Sequence, residues 1–352
     1  MNSNIPGRPR VSSRIRAIGS AILISLTATV SYCVAQKPPT AAPEIRKNLV
    51  YGTHAEKALK LDVYRPRRPG RLPAVLVFHG GGWYMGAKSS SEASMFAQRL
   101  AEAGYVAISA AYRLAPDHLW PAQLDDVRRA VQYVRAEATT LGIDTTRIAA
   151  MGASAGGHLS AFLAVSDDIA DLQATDPVLR QSSRINCAVS ICGPMDLESR
   201  EGASKAAQAT VLKLLTGTSA LSDQRAWALA ESKLKSASPA AFVDRRDSPL
   251  FLVYGDRDTL VRPVQSLSMN RALLAAEVPH ELFCVKDGGH CDFLGRLGDP
   301  VAAKTDAVWT RVLSFLIEHM TPSSKSAPAS RPDSRPEAPA SRPVGGEKKI
   351  IR

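Results

Sequence analysis

Short apolar runs alternate with longer helical patterns along most of this 352-residue chain, and that alternation constrains the fold more than any other feature. Ala74–Phe78 (AVLVF) is a continuous apolar run between Pro73 and a glycine cluster, the pattern of a strand buried on both faces. Tyr105–Ala110, Arg147–Met151, Ile185–Ile191, Leu250–Tyr254 and Glu281–Val285 repeat it, whereas Leu59–Tyr64 (LKLDVY) alternates apolar and polar residues as a half-buried strand does. Between these runs, Ser91–Ala103, Gln123–Ala138, Ala155–Val165, Val264–Ala276 and Val301–His319 carry apolar residues three and four apart, the helical spacing. The alternation predicts an α/β fold, with a mostly parallel central sheet and helices on both faces. The first strands are joined too closely for a crossover helix, so they are expected antiparallel at one edge. From Asp196 to Asp247 about fifty residues pass before the next buried strand, far beyond a usual connection. Ala203–Leu215 and Leu221–Lys235 read as helices inside this segment. Residues 196–247 are thus either a small helical cap over the C-terminal edge of the sheet or an enlarged crossover.

The formal net charge of +11 would suit a polyanion partner, but its distribution removes that argument. Residues 1–36 carry +4 and residues 321–352 another +4, which leaves +3 for everything between. No nucleic-acid partner is expected. At the N-terminus a basic stretch through Arg16 precedes the apolar run Ala17–Val30, and Cys33-Val34-Ala35 supplies a small-x-small site before Gln36. Residues 1–35 therefore read as an export signal. The chain is expected to be secreted or periplasmic, with anchoring by an uncleaved signal as the alternative. The apolar run falls short of the roughly 20 residues of a membrane span, so no stable span is expected. Residues 36–48 form a lead, 49–320 the folded domain, and 321–352 a Pro/Ser/Ala/Arg-rich tail with too little to bury for order. Four cysteines remain after the signal: Cys187, Cys192, Cys284 and Cys291. Cys187 and Cys284 lie in apolar runs, where cysteine behaves as a small buried hydrophobe, and free or partly free thiols are favoured over disulfides. No metal spacing of the CxxC kind is present.

The strongest local signal is Gly152-Ala153-Ser154-Ala155-Gly156, a GxSxG that follows one buried strand and opens the next helical pattern. A strand–turn–helix with small flanking residues is what a nucleophile elbow requires, because the turn is tight and the backbones approach closely. Second is His79-Gly80-Gly81-Gly82-Trp83, directly after the strand Ala74–Phe78. Successive glycines let backbone N–H groups converge on one point, as a hole for a developing oxyanion needs. Gly81 and Gly82 are the donors expected from this loop, joined by the amide of Ala155. A phosphate-cradling loop is the alternative, but neither GxxxxGK[ST] nor GxGxxG follows the strand. A serine hydroxyl needs a base, and the base an orienting acid. In elbow-type hydrolases these follow the serine in the order acid, then histidine. Gly255-Asp256-Arg257-Asp258 ends one late strand, and Asp287-Gly288-Gly289-His290 follows the next. His290 is favoured over His280 and His319, and Asp258 over Asp256, which suits a turn.

Taken together, His79–Trp83, Tyr112-Arg113-Leu114-Ala115-Pro116, Pro121-Ala122, Gly152–Gly157, Gly255–Asp258 with Val261, and Gly289-His290 resemble the α/β-hydrolase fold. The nearest branch is the esterase/lipase group with an HGGG motif, in particular its feruloyl- and acetylxylan-esterase-like members. Tyr51-Gly52 and Leu61-Asp62-Val63-Tyr64-Arg65-Pro66 resemble that branch's entry strands. The resemblance implies Ser154 as nucleophile, Asp258 as orienting acid and His290 as general base. It implies carboxylic-ester hydrolysis without metal or organic cofactor, on small acyl esters or on acetyl or feruloyl esters of polysaccharide. Amide hydrolysis on the same triad, as in a peptidase or formamidase, and a non-catalytic binding module are the alternatives. Arg262 departs from the pattern by separating Val261 from Pro263, which puts the course of the loop after Asp258 in question. Arg113 and Asp126 are expected to pair structurally, His79 to brace its loop and His158 to be a packed residue. Trp83, Tyr84 and Trp120 either line an acyl or aryl pocket or belong to the core. Cys291, beside His290, has no elbow and is not expected to act as a nucleophile.

Overall fold

Apart from Met1, the computed structural model describes residues 42–55, 57–199, 203–295 and 302–321. The expected export signal over 1–35, the start of the lead and the tail from residue 322 lie outside them. Eight strands form one sheet: β1 (Glu44–His54), β2 (Lys57–Arg65), β3 (Leu72–Phe78), β4 (Val106–Ala110), β5 (Ile143–Ala153), β6 (Cys187–Ile191), β7 (Leu250–Gly255) and β8 (His280–Val285). Their spatial order is β1-β2-β4-β3-β5-β6-β7-β8. Both pairings of β2 are antiparallel and all later pairings are parallel. This is the mostly parallel sheet and antiparallel edge expected from the strand spacing. The chain runs outward from β3 to β4 and then returns past β3 to β5. The order therefore reverses between β3 and β5, which opens a crevice beyond their C-terminal ends.

Apolar faces of the helices account for the layers. On one side α1 (Ser91–Glu102) and α8 (Ala302–Met320) cover the sheet. Phe96 meets Trp309 edge-on at 5.5 Å and Phe315 lies 5.5 Å from Phe251. Each such buried aromatic contributes about 2–3 kcal/mol of hydrophobic stabilisation. On the other side lie α2 (Ala122–Ala136), α4 (Ala155–Val165) and α7 (Pro263–Ala275), through Leu124, Val127, Val131, Leu159, Phe162 and Met269. The pattern read as a helix over 123–138 is α2, and the short α3 (Ala138–Leu141) follows it and ends at Gly142 (φ +65°). Between β6 and β7 come α5 (Lys205–Thr216), α6 (Gln224–Leu234) and two 3-10 turns at Lys235–Ala237 and Pro239–Phe242. Among the described residues, no helix is long and apolar enough to cross a membrane.

Two expectations need correction. The stretch read as lead through residue 48 already enters β1 at Glu44. Glu44, Arg46 and Lys47 carry no apolar signal; pairing with β2 makes the strand. Likewise β8 is not buried on both faces. It is the sheet edge, most of its residues are partly exposed, and Cys284 is exposed rather than buried. A short apolar run has no periodicity to tell an edge strand from a central one.

Candidate active site

The crevice between β3 and β5 is where the two glycine-rich segments meet. Ser154 follows β5 with φ +54° and ψ −121°, a conformation that bulky L-residues avoid. Its N–H donates to the Ile191 carbonyl at 2.8 Å, which ties the turn to β6. The flanking glycines follow from space: a Cβ at Gly152 or Gly156 would overlap the carbonyl oxygen of Phe78 at the end of β3. The elbow thus forces the β5–α4 backbone against β3 and lifts Ser154 into the crevice. Ala155 is the first residue of α4, so its N–H has no partner inside the helix.

Beyond β3 the loop Gly80–Met85 turns on glycines at φ +116° (Gly81) and +57° (Gly82). A Cβ on Gly81 would overlap the Met85 carbonyl. Tyr84 and Met85 donate back to the Gly81 carbonyl, and no acceptor for the N–H of Gly81 or Gly82 occurs among the described residues. Several braces hold this loop. The Tyr112 hydroxyl donates to the His79 carbonyl at 2.8 Å, and the His79 ring stacks on Tyr112 at 4.3 Å while its Nδ1 bonds the Gly80 carbonyl. Burial pushes the His79 imidazole below its ordinary range, consistent with a neutral brace. Tyr112 is anchored by its neighbour Arg113, whose Nε donates to both oxygens of Asp126 at 2.9 Å. The expected Arg113–Asp126 pair is therefore present. The Gly80 N–H donates to Glu92 Oε1 at 3.2 Å. Burial raises the Glu92 carboxyl, offset in part by that N–H and by His290.

His290 and Asp258 arrive from β8 and β7, three and two places from β5 in the sheet. Their meeting with Ser154 is a consequence of parallel strands ending on one edge. Ser154 Oγ lies 3.0 Å from His290 Nε2, and His290 Nδ1 lies 2.7 Å from Asp258 Oδ2. Because a carboxylate oxygen only accepts, Nδ1 carries the proton and Nε2 offers its lone pair to the serine hydroxyl. The side chain of Asp258 is fully buried. Its other oxygen accepts from the N–H groups of Leu260 and Val261 at 2.9 and 2.8 Å. Asp256 is exposed on the preceding turn and takes no part. Arg262, the departure from the pattern, sits at the N-cap of α7 with Pro263 as its first residue. The extra residue is absorbed after Asp258 without disturbing its bonds.

A cavity of about 450 Å³ opens on this arrangement, lined by Gly81, Gly82, Ser154, Ala155 and His290 on its floor. Ala207, Gln208, Thr210 and Val211 of α5 and Trp227 of α6 line it as well, together with Asp196, Leu260 and Arg262. Of the aromatic residues weighed from sequence, Trp83 and Tyr84 both border the cavity, although Trp83 is 2% exposed and its ring packs edge-on against His158. Trp120 does not line it; the ring packs on His158 and Phe162. His158 is the packed residue expected. It accepts from Trp83 Nε1 at 3.2 Å and lies 2.9 Å from the Ala237 carbonyl, and burial drives its pKa down to about 4. Trp227 was not singled out from sequence, because an aromatic on an amphipathic helix carries no sign of which way that helix faces. All four cysteines described are free. Cys291 is no thiolate at neutral pH: hydrogen bonding to Cys192, then burial, raises its thiol well above the ordinary range.

The BD-FAE family model matches residues 61–273, more than half of the chain. The chain belongs to the BD-FAE family. That match runs from β2 through α7 and includes both glycine segments, Ser154 and Asp258. Members of the α/β-hydrolase fold resemble it more widely. Esterase LipC of Mycobacterium tuberculosis is 32% identical over 232 residues, covering 65% of this chain and 55% of that protein. The chain spans about half the length of the curated relatives it matches (55%, 52% and 49% for the first three). Among solved structures, an acetyl ester-xyloside bifunctional hydrolase from Caldicellulosiruptor lactoaceticus superposes with a TM-score of 0.64 at 26% identity, over 79% of this chain and 97% of that one. A truncated carbohydrate esterase from gut microbiota shares the fold at TM-score 0.67 and 23% identity, over 81% of this chain and 99% of that one.

Proposed function

We propose that this chain is an exported serine hydrolase that cleaves carboxylic esters through an acyl-enzyme. The observation that carries the reading is the Ser154–His290–Asp258 chain of hydrogen bonds on the cavity floor, at 3.0 and 2.7 Å. Ser154 attacks the ester carbonyl while Nε2 of His290 takes its proton. Asp258 holds the tautomer that leaves Nε2 free and stabilises the imidazolium that forms. The tetrahedral oxyanion is held by the N–H groups of Gly81, Gly82 and Ala155. His290 then protonates the departing alcohol, and water releases the acyl group by the same route. No step calls for a metal or cofactor.

Residues 196–247 act as a cap in this reading, which is supported by α5 and α6 lining the same cavity as Ser154. The cap side offers Val211, Ala207 and Trp227 to an acyl group and Gln208 and Asp196 to a hydroxylated alcohol. That mixture, with the family and the names of the solved neighbours, supports acetyl or feruloyl esters of polysaccharide, or small acyl esters, as substrates. Export rests on the basic and apolar leader over 1–35. The test is hydrolysis of p-nitrophenyl esters from acetyl to octanoyl, methyl ferulate and acetylated xylan by the purified chain beside Ser154→Ala. Serine-dependent turnover of acetyl or feruloyl substrates is expected. No turnover of any ester, or equal turnover by the variant, would overturn the reading.

A further inference from the structure

The histidine of the proposed triad also belongs to a second cluster. Cys192 directly follows β6 and Cys291 directly follows His290 in the loop after β8. A ligand atom from each of Cys192, His290 and Cys291 lies within 4.8 Å of the other two. Thiolate and imidazole are the donors that thiophilic cations select. With metal–sulfur and metal–nitrogen bonds of roughly 2.3 and 2.0 Å, a tetrahedral site has ligand edges of about 3.5–3.8 Å, so the cluster needs to contract by about 1.3 Å at most. The imidazole has one nitrogen available for this. Asp258 accepts the Nδ1 proton at 2.7 Å, which leaves Nε2 with its lone pair, and a carboxylate behind the far nitrogen is how ligating histidines are commonly held. Access is provided as well, because His290 and Cys291 both line the cavity.

We propose that Cys192, Cys291 and His290 form a binding site for a thiophilic divalent cation of the zinc and cadmium type, whose occupation withdraws His290 from Ser154. Two metal–sulfur bonds and one metal–nitrogen bond form, and both thiol protons leave to solvent. The Ser154 proton stays on its oxygen, and nothing is oxidised or reduced. A fourth ligand would come from the cavity, which His290 and Cys291 border. Metal binding follows from the cluster alone; only the inhibitory consequence rests on the esterase reading.

The test titrates the full, reduced chain with cadmium chloride and follows the ultraviolet thiolate-to-cadmium charge-transfer band, with zinc chloride as competitor. The set is wild type, Ser154→Ala, Cys192→Ser and Cys291→Ser, each checked by circular dichroism. Cys291→Ser, at a half-buried position, carries the test where Cys192→Ser fails to fold. Wild type and Ser154→Ala are expected to saturate at one cadmium per chain, displaced by zinc. Each cysteine variant is expected to weaken binding about tenfold or more. Inhibition of ester turnover by either metal is expected to share the binding midpoint, and to move up with it relative to each variant's own metal-free rate. Absence of the band, or a band unchanged in both cysteine variants, overturns the site. Saturation without inhibition overturns the inhibitory role. A chain that shows the band but hydrolyses no ester supports the site and removes only the esterase reading.

Discussion

His158 makes the stability of this fold steeply sensitive to mild acid. The side chain is wholly buried among Trp83, Trp120 and Phe162, and no carboxylate among the described residues stands beside it to hold a second proton. Both ring nitrogens are committed in the neutral form. Nδ1 accepts from Trp83 Nε1, so Nε2–H donates to the Ala237 carbonyl. A second proton would set one N–H against another. Burial is the main reason that the folded-state pKa is pushed down to about 4 from the ordinary 6.5. As pH falls below the unfolded value, the unfolded chain binds the proton and the folded one does not, so stability is lost across that window and levels off below the folded value. At 1.36 kcal/mol per pK unit, the loss assignable to His158 is about 2 kcal/mol at pH 5 and about 3 kcal/mol at pH 4. His158→Gln keeps an acceptor and a donor without a group that titrates there. Urea unfolding of both proteins between pH 7 and pH 4 isolates the effect, because other groups cancel in the difference. Wild type is expected to lose about 2 kcal/mol more than the variant between pH 7 and pH 5. Parallel curves, with a difference constant to about 0.5 kcal/mol, would refute the reasoning.

Three further outcomes follow from the same contacts. Lys88→Met leaves Asp62, 2% exposed at its side chain and bonded to Lys88 at 2.6 Å, without its cation. The expected cost in urea unfolding is about 3 kcal/mol, since the Asn48 N–H still donates to that carboxylate; Asp62→Asn added to the variant should recover part of it. Asp258→Asn retains the shape of the side chain but favours the wrong imidazole tautomer, and kcat for p-nitrophenyl acetate is expected to fall about 10³- to 10⁴-fold with the fold intact by circular dichroism. Trp227→Ala removes an aromatic wall of the cavity. The ratio of kcat/KM for octanoyl over acetyl esters should rise about tenfold, the scale on which apolar pockets discriminate.

What was legible in the sequence was what backbone geometry demands of particular residue types. Gly152 and Gly156 are required because any Cβ there meets the Phe78 carbonyl, so the elbow is written into its composition. Asp258 and His290 were found because parallel strands deliver their C-terminal ends to one edge, whatever the sequence distance. Features set by contacts between remote elements were not legible. Nothing in Trp120 or Trp227 says that the first packs on His158 while the second faces the cavity. β1 carries charges where an apolar run would have announced it, because only one of its edges is paired. The approach of Cys192 to Cys291 depends on the ends of β6 and β8 converging on His290, which no local spacing encodes.

The most direct measurement for the proposed chemistry is covalent trapping of the nucleophile. The purified chain would be treated with a fluorophosphonate, its intact mass recorded and the labelled peptide sequenced. One adduct per chain, carried by Ser154 and absent from Ser154→Ala, is the result predicted by the hydrogen bonds from Ser154 through His290 to Asp258. An adduct on another residue, or a chain that turns over esters while Ser154 stays unlabelled, would contradict it.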